Sequence, residues 1–465
     1  MKKAFVWALM ATLAVAGSAF AVPSKVTANA TFASGSPATT NNDDSCDISV
    51  APAATLLLPY FEVDMSAAPG VGDTTLFTVT NVSQYPAIAH VTIWTDRSFP
   101  VLDFNIFLTG YDVQSINMYD IIVRGRIAEP GTSSNTDEGD RSLDNTAGTP
   151  SGVALDLANC NRLAVRVPAD LLADLQSALT VGTTAGCGSA RVGNNHGAGT
   201  AIGYVTIDVT ESCSTSLPTD TGYFTSEILY DNVLVGDYQQ VDPANNFAMG
   251  NPMVHIRAIP EGGTATTALT NFDRTFYSRY QTGGGTADRR QPLPSTFAAR
   301  WISGGTGAFN TSYKIWREGT TGATAGCAVS ANAALAVSEL VRFDEAENPE
   351  TFTPDDIISP APEGDVSLPE TSNTDVADTS IFPAADDGDV AGWMYLNLDN
   401  GNTTDGDFAS QNWVIVSMEA EGRYAVDFDA AWLGNGCSPV APVTDEDGGD
   451  PAIGPADNIT PGGAV

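Results

Sequence analysis

Basic side chains are scarce in this chain of 465 residues: Lys and Arg number 20 against 56 Asp and Glu, a formal charge of −36. So acidic a surface repels phosphate backbones and anionic lipid, which argues against nucleic acid or acidic membrane as a general partner. Histidine is scarcer still, with only His90, His196 and His255. These three stand far apart in unlike settings, so neither a zinc site nor a histidine-centred catalytic group is indicated. No G-x-S-x-G elbow occurs. No two cysteines have C-x-x-C spacing, which removes zinc knuckles and redox dithiols. Past the N-terminus no apolar run approaches the ~18 residues of a membrane-spanning helix, so no membrane span is expected.

The first residues, "MKKAFVWALMATLAVAGSAFAVPS", combine Lys2 and Lys3 with an apolar run from Ala4 to Gly17 and a small-x-small site at Ala19 to Ala21. That is the pattern of a secretory signal peptide over residues 1–21, followed by a polar, flexible leader over 22–45. The expected address is extracellular, at the cell surface or in the periplasm. Six cysteines remain: Cys46, Cys160, Cys187, Cys213, Cys327 and Cys437. In an oxidising compartment an even count predicts three disulfides, whose pairing is open among fifteen possibilities. Cys187 and Cys213 flank one strand-like segment and form the first local pair to consider.

Period-two alternation dominates the chain beyond the leader. In "TTLFTVTNVSQYPAIAHVTIWTD", Phe77 and Val79 alternate with Thr78 and Thr80. Past a turn at Ser83-Gln84, Ala89, Val91 and Ile93 share a face opposite His90, Thr92 and Trp94. "FNIFLTGYDVQSINMYDIIV" extends the strand pattern, and "AIGYVTIDVTESC", "PMVHIRAI" and "SYKIWRE" repeat it. One helix is predicted in "VPADLLADLQSAL", with Pro168 at its first position and Leu171, Leu172, Leu175 and Leu179 on one side. A hairpin is predicted from "WVIVSME" and "RYAVDFDA" about Glu421-Gly422, with Tyr424, Val426 and Phe428 inward and Arg423, Asp427 and Asp429 outward. The expected organisation is an N-terminal β-sandwich region over 46–262 with an exposed loop at 126–152. A C-terminal β region over 263–437 comes next, with an acidic loop at 344–392, and then a disordered tail over 438–465. The fold class is all-β: immunoglobulin-like β-sandwich modules with long polar loops and one short helix.

The segment "TVTNVSQYPAIAHVTIWTD" resembles the strand–turn–strand opening of bacterial immunoglobulin-like surface domains. Together with "LLLPYFEVD", "LTGYDVQSIN", "DNVLVGDYQQ", "NPMVHIRAIPEGG" and "AEGRYAVDFDA", it makes the chain similar to a family of secreted bacterial β-rich proteins. The resemblance runs along most of the chain and implies a fold and an address. It brings no catalytic residues.

Four chemical candidates stand out. Asp220-Thr221-Gly222 is the core of the aspartic-protease signature, but such enzymes need two aspartates sharing a proton, and no second D-[TS]-G occurs. With Thr219 before it and Tyr223 after it, the triplet reads as a turn. Asp/Gly clusters containing Asp386, Asp387, Asp389, Asp399, Asp405 and Asp407 offer hard oxygen ligands on tight turns, so Ca2+ is the one cofactor indicated, without EF-hand spacing. Trp94, Trp301, Trp316 and Trp393 could form a sugar platform, although tryptophans on strands usually pack in a core. Finally, Arg257, Arg274, Arg279, Arg289, Arg290, Arg300 and Arg317 gather in the middle of the chain, ahead of residues 344–389, which lack Lys and Arg altogether. These arginines pair either within the fold or with a partner, including a second copy. The functional expectation is a non-enzymatic structural or interaction protein. A glycan-binding module, calcium-dependent if the Asp/Gly loops take part, is the alternative, and an unrecognised hydrolase the third reading.

Overall fold

The computed structural model describes residues 50–127, 167–211, 222–258, 296–305, 307–318, 339–350, 367–385, 388–398, 411–420 and 424–433, with the short stretches 216–218, 293–294 and 335–337 and single positions between them. It is an all-β protein. In the first half the strands are β1 (Thr55–Asp64), β2 (Thr74–Asn81), β3 (Ala87–Thr95), β4 (Pro100–Leu108) and β5 (Val113–Asn117). After helices α1 (Met118–Ile122) and α2 (Ala169–Thr180) come β6 (Thr200–Thr210), β7 (Leu234–Asp242), β8 (Phe247–Pro252) and β9 (Val254–Ile256). They form two antiparallel sheets, ordered β4-β3-β6-β1-β9 and β5-β2-β7-β8.

The second half continues with β10 (Thr296–Ile302), β11 (Phe309–Arg317), β12 (Leu335–Ala336), β13 (Glu339–Asp344), β14 (Pro349–Glu350) and β15 (Ser367–Leu368). The last strands are β16 (Thr371–Asp375), β17 (Ala391–Asn397), β18 (Asn412–Ala420), β19 (Tyr424–Asp429) and β20 (Ala431–Trp432). Their sheets are ordered β14-β13-β17-β10-β20 and β16-β11-β18-β19, beside a β12-β15 ribbon. Among the described residues no sheet mixes strands from the two halves, yet one continuous apolar core contains residues of both, from Leu56 and Val205 to Trp316 and Ile415.

Layering explains where alternation is kept and where it is lost. β2 alternates half-buried and buried residues along its length because one of its faces is wet. β3, β6 and β18 are buried almost throughout, since both of their faces meet other elements. Sequence and structure agree on α2, where Leu175 and Leu179 are buried and Leu171 and Leu172 pack against the core; Pro168 sits one place earlier, as the N-cap. α1 departs from the strand pattern expected there. Asn117 accepts from the Tyr119 N–H and caps a single turn that buries Met118, Tyr119, Ile121 and Ile122.

Three expectations are corrected. Cys187 is bonded to Cys327, 140 residues away, instead of its sequence neighbour Cys213. Residues 344–392 are not wholly loop, because β16 pairs with β11 through backbone bonds that need no apolar pattern. The β18–β19 hairpin forms in register, Ala420 opposite Tyr424, but Tyr424 and Val426 are exposed and Asp427 is buried, whereas Phe428 packs against the core and Asp429 faces out as expected. A buried cation draws Asp427 inward. Lys314 Nζ lies 2.9 and 2.7 Å from its two carboxylate oxygens, and Ser417 Oγ donates to it at 2.6 Å.

Candidate functional site

The outward face of the β5-β2-β7 sheet holds a concave surface. Strand register stacks three rows across it: Asn117–Leu76–Gln239, Ser115–Thr78–Asp237 and Val113–Thr80–Val235. The intervening Phe77, Val79, Ile116 and Tyr238 point into the core and fix these rows facing outward. The first two rows floor a groove of about 390 Å³ whose wall is built by Asp120 of α1 and by Arg126 and Ile127 beyond it.

Much of this polar surface is held in place by the fold. Thr78 Oγ1 donates to Asp237 Oδ1 at 2.8 Å, and Arg124 pairs with Asp120 at 2.9 Å, one helical turn away. Asn117 Oδ1 accepts from Thr74 Oγ1 and from the Tyr119 N–H, which fixes the amide while its NH2 makes no bond among the described residues. Arg126 has no carboxylate partner among the described residues. Asp120, Asp237, Arg124 and Arg126 therefore balance locally, in a chain of charge −36.

The third row runs out into two touching loops, one joining β2 to β3 and one joining β4 to β5. Buried Asn81 ties them: its Nδ2 donates to Tyr85 O at 2.7 Å and to Thr109 O at 2.9 Å, while its Oδ1 accepts from the Ser83 N–H. The Tyr111 N–H donates to Ser83 O. Gly110 lies so close to Gln84 that an added Cβ would meet the Gln84 carbonyl oxygen at 2.2 Å. Each loop displays a tyrosine, Tyr85 at 68% and Tyr111 at 71% exposure. Tyr111 is also strained, with φ +60° where an aromatic side chain rarely goes. Such a backbone costs on the order of 1–3 kcal/mol and persists only where its surroundings impose it. Here Asp112 imposes it, accepting from the Thr109 N–H and hydroxyl and from the Val113 N–H.

No protein-family model, curated protein or solved structure matches the chain. The face therefore has to be interpreted from its own chemistry.

The residues singled out by sequence lie elsewhere. Asp220 anchors a turn: its Oδ2 accepts from the Leu217 N–H, its carbonyl from the Tyr223 N–H, and Gly222 adopts φ +91°. That turn delivers Tyr223 into the core, where its hydroxyl donates to Asp208 Oδ2 at 2.7 Å. The buried Asp208 also receives Thr55 Oγ1 and pairs with Arg290 at 3.1 Å. Arg317 is fully buried as well, against Asn412 and Leu398 O. Arg300 is exposed and reaches Glu345 of the acidic segment at 3.4 Å, and Arg257 is half-buried. Arg274, Arg279 and Arg289 fall outside the described residues, as do Asp386, Asp387, Asp399, Asp405 and Asp407 and the cysteines other than Cys187 and Cys327. Trp94, Trp301 and Trp316 are core residues, and Trp393 stacks on Phe343 at 4.1 Å. Of the histidines, His196 Nε2 lies 3.0 Å from Asp96, His90 Nδ1 lies 2.9 Å from Asn105, and His255 Nε2 accepts from the Gly236 N–H.

Burial dominates the displaced titrations. It depresses Lys314, against the pull of Asp427, and lowers His255 to about 4. Asp429 is raised to about 6 by burial, opposed by donors from Trp413 and Asn251. Asp73, just ahead of β2, rises to about 6 through burial and then the neighbouring carboxylates of Asp242, Glu62 and Asp64. None of these groups lines the groove. The tyrosine face was missed in the sequence, although one signal was there: aromatic residues inside the turns "NVSQYP" and "TGYDV", where small polar residues are usual.

Proposed function

We propose that the protein is a secreted, non-enzymatic interaction module of the bacterial cell surface or periplasm. On this reading it consists of layered antiparallel sheets of immunoglobulin-like character, with the outward β5-β2-β7 face as its contact surface. The observation that carries the proposal is Tyr111, an exposed aromatic residue in a strained conformation that Asp112 and the Asn81-braced loops over-determine. Strain maintained to display a side chain to solvent fits recognition better than packing. The signal-like N-terminus and the Cys187–Cys327 bond support an oxidising compartment.

Co-sedimentation with envelope fragments of the host bacterium tests the proposal. Wild-type protein is expected to pellet with them, and Thr78→Trp, which fills the groove from an outward strand position, to remain in the supernatant. Equal partition of wild type and variant would remove the β5-β2-β7 face from the function.

A further inference from the structure

The same face also indicates its ligand, an inference that rests on the contact surface just proposed. We propose that the groove and its two tyrosines bind the neutral glycan chains of a polysaccharide. Charge narrows the choice first. The rest of so acidic a chain repels polyanions, while the groove is lined by Asp120, Asp237 and Arg126, with Asp120 also paired to Arg124.

Hydrogen-bonding geometry narrows it further. Gln239, Asp237 and Arg126 present planar two-atom groups, and such groups can engage two adjacent hydroxyls of a sugar ring together. The side chains of Asn117 and Gln239 still offer amide NH2 groups that no described residue occupies. Tyr85 and Tyr111 add what polar groups lack, an aromatic plane with a polar tip, suited to the C–H face of a sugar. A docking site for a folded protein would instead centre on a contiguous apolar patch with a polar rim. Here the row Ser115–Thr78–Asp237 is polar throughout, Asn117 and Gln239 flank Leu76 in the row beside it, and the two tyrosine loops lie beyond one end of the sheet face. From Val113 to Asn117 the outward face that contains the groove runs roughly 14 Å at strand rise, room for more than one sugar ring.

The experiment pairs affinity electrophoresis through soluble neutral polysaccharides (β-glucan, xylan, galactomannan, dextran) with the envelope assay repeated after periodate, which cleaves vicinal diols, or after protease. At least one neutral polysaccharide is expected to retard the wild type, and periodate is expected to abolish pelleting while protease leaves it intact. Tyr111→Ala and Tyr85→Ala should each weaken retardation about tenfold, Tyr111→Phe should keep most of it, and Tyr424→Ala, at an exposed β19 position outside the groove lining, should change nothing. Pelleting that survives periodate and is lost to protease would overturn the glycan inference while leaving the contact surface standing. Pelleting insensitive to Thr78→Trp would defeat both. Retardation unaffected by either tyrosine variant would overturn the inference even if binding occurs.

Discussion

Two regions of the molecule invert the usual placement of residues, in opposite senses. Beneath the surface, Lys314 and Asp427 are enclosed by Ser417, Tyr238 and Met249, drawn from both halves of the chain. Outside, Tyr85 and Tyr111 stand in water on loops that buried Asn81 locks together. The buried pair is held by mutual need: each charge would be stranded without the other, so the geometry is enforced by electrostatics. The exposed pair gains nothing comparable from its position, and the backbone under Tyr111 is strained to maintain it. An inversion that stabilises itself is explained by folding alone. One that the rest of the structure must hold in place calls for a partner.

That contrast can be broken most forcefully at the buried end. Lys314→Ala strands Asp427 in the interior and should cost roughly 3–5 kcal/mol in denaturant unfolding, whereas Lys314→Met with Asp427→Leu should recover most of it. If the single variant unfolds like wild type, the pair is wetter than its burial implies.

Next in size is the Cys187–Cys327 bond, which joins the two halves across 140 residues. Cys187→Ser with Cys327→Ser should lower stability by about 2–5 kcal/mol, through the greater freedom of the unfolded chain. Glycan binding by the folded protein should be unaffected, because neither cysteine lines the groove.

Acidity separates the groups further. Asp73 and Asp429 bind their protons more tightly folded than unfolded, so their ionisation destabilises the fold as pH rises from about 4 through about 6. His255 acts in the opposite sense: its folded value of about 4 lies below the unfolded one, so its contribution is lost as pH falls from about 6.5 towards 4. Asp73→Asn should therefore raise the urea midpoint relative to wild type near pH 7 and lose that advantage near pH 4. An advantage independent of pH would mean that Asp73 is not held protonated by its neighbours.

The smallest effect is the most telling for the outer region. Tyr111→Gly relieves a left-handed backbone strained for a tyrosine, at the cost of a more flexible unfolded chain, so stability should stay level or rise by up to about 1 kcal/mol. Binding should fall all the same. A variant that is no less stable and no longer binds would identify the strain as serving recognition. A clear loss of stability would place Tyr111 among packing residues.

Both inversions were only partly legible in the sequence. The strands were, because apolar and β-branched residues at alternate positions leave a period of two wherever one face is wet, as along β2. α2 was too, from leucines at helical spacing. In β19 the strand was legible but its burial was not: Tyr424 and Val426 are exposed and Asp427 is buried, the reverse of what hydrophobicity alone predicts, while Phe428 and Asp429 follow it. The site residues Tyr85 and Tyr111 were visible as aromatics within turns, but nothing local joins loops that are neighbours only through Asn81 and the Tyr111–Ser83 bond.

By itself the sequence determined the all-β class, the position of α2 and the β18–β19 pairing, because each follows from periodicity and turn chemistry within a dozen residues. Tertiary structure alone decided that Asp427 faces Lys314, that Asp208 meets Arg290 and that Cys187 joins Cys327. It also decided that two tyrosine loops meet beyond one end of the sheet face that carries the groove. The reason is physical: periodicity records which side chains share a face, whereas the direction of that face is set by partners some ten to 140 residues away, whose charge and shape no local pattern carries.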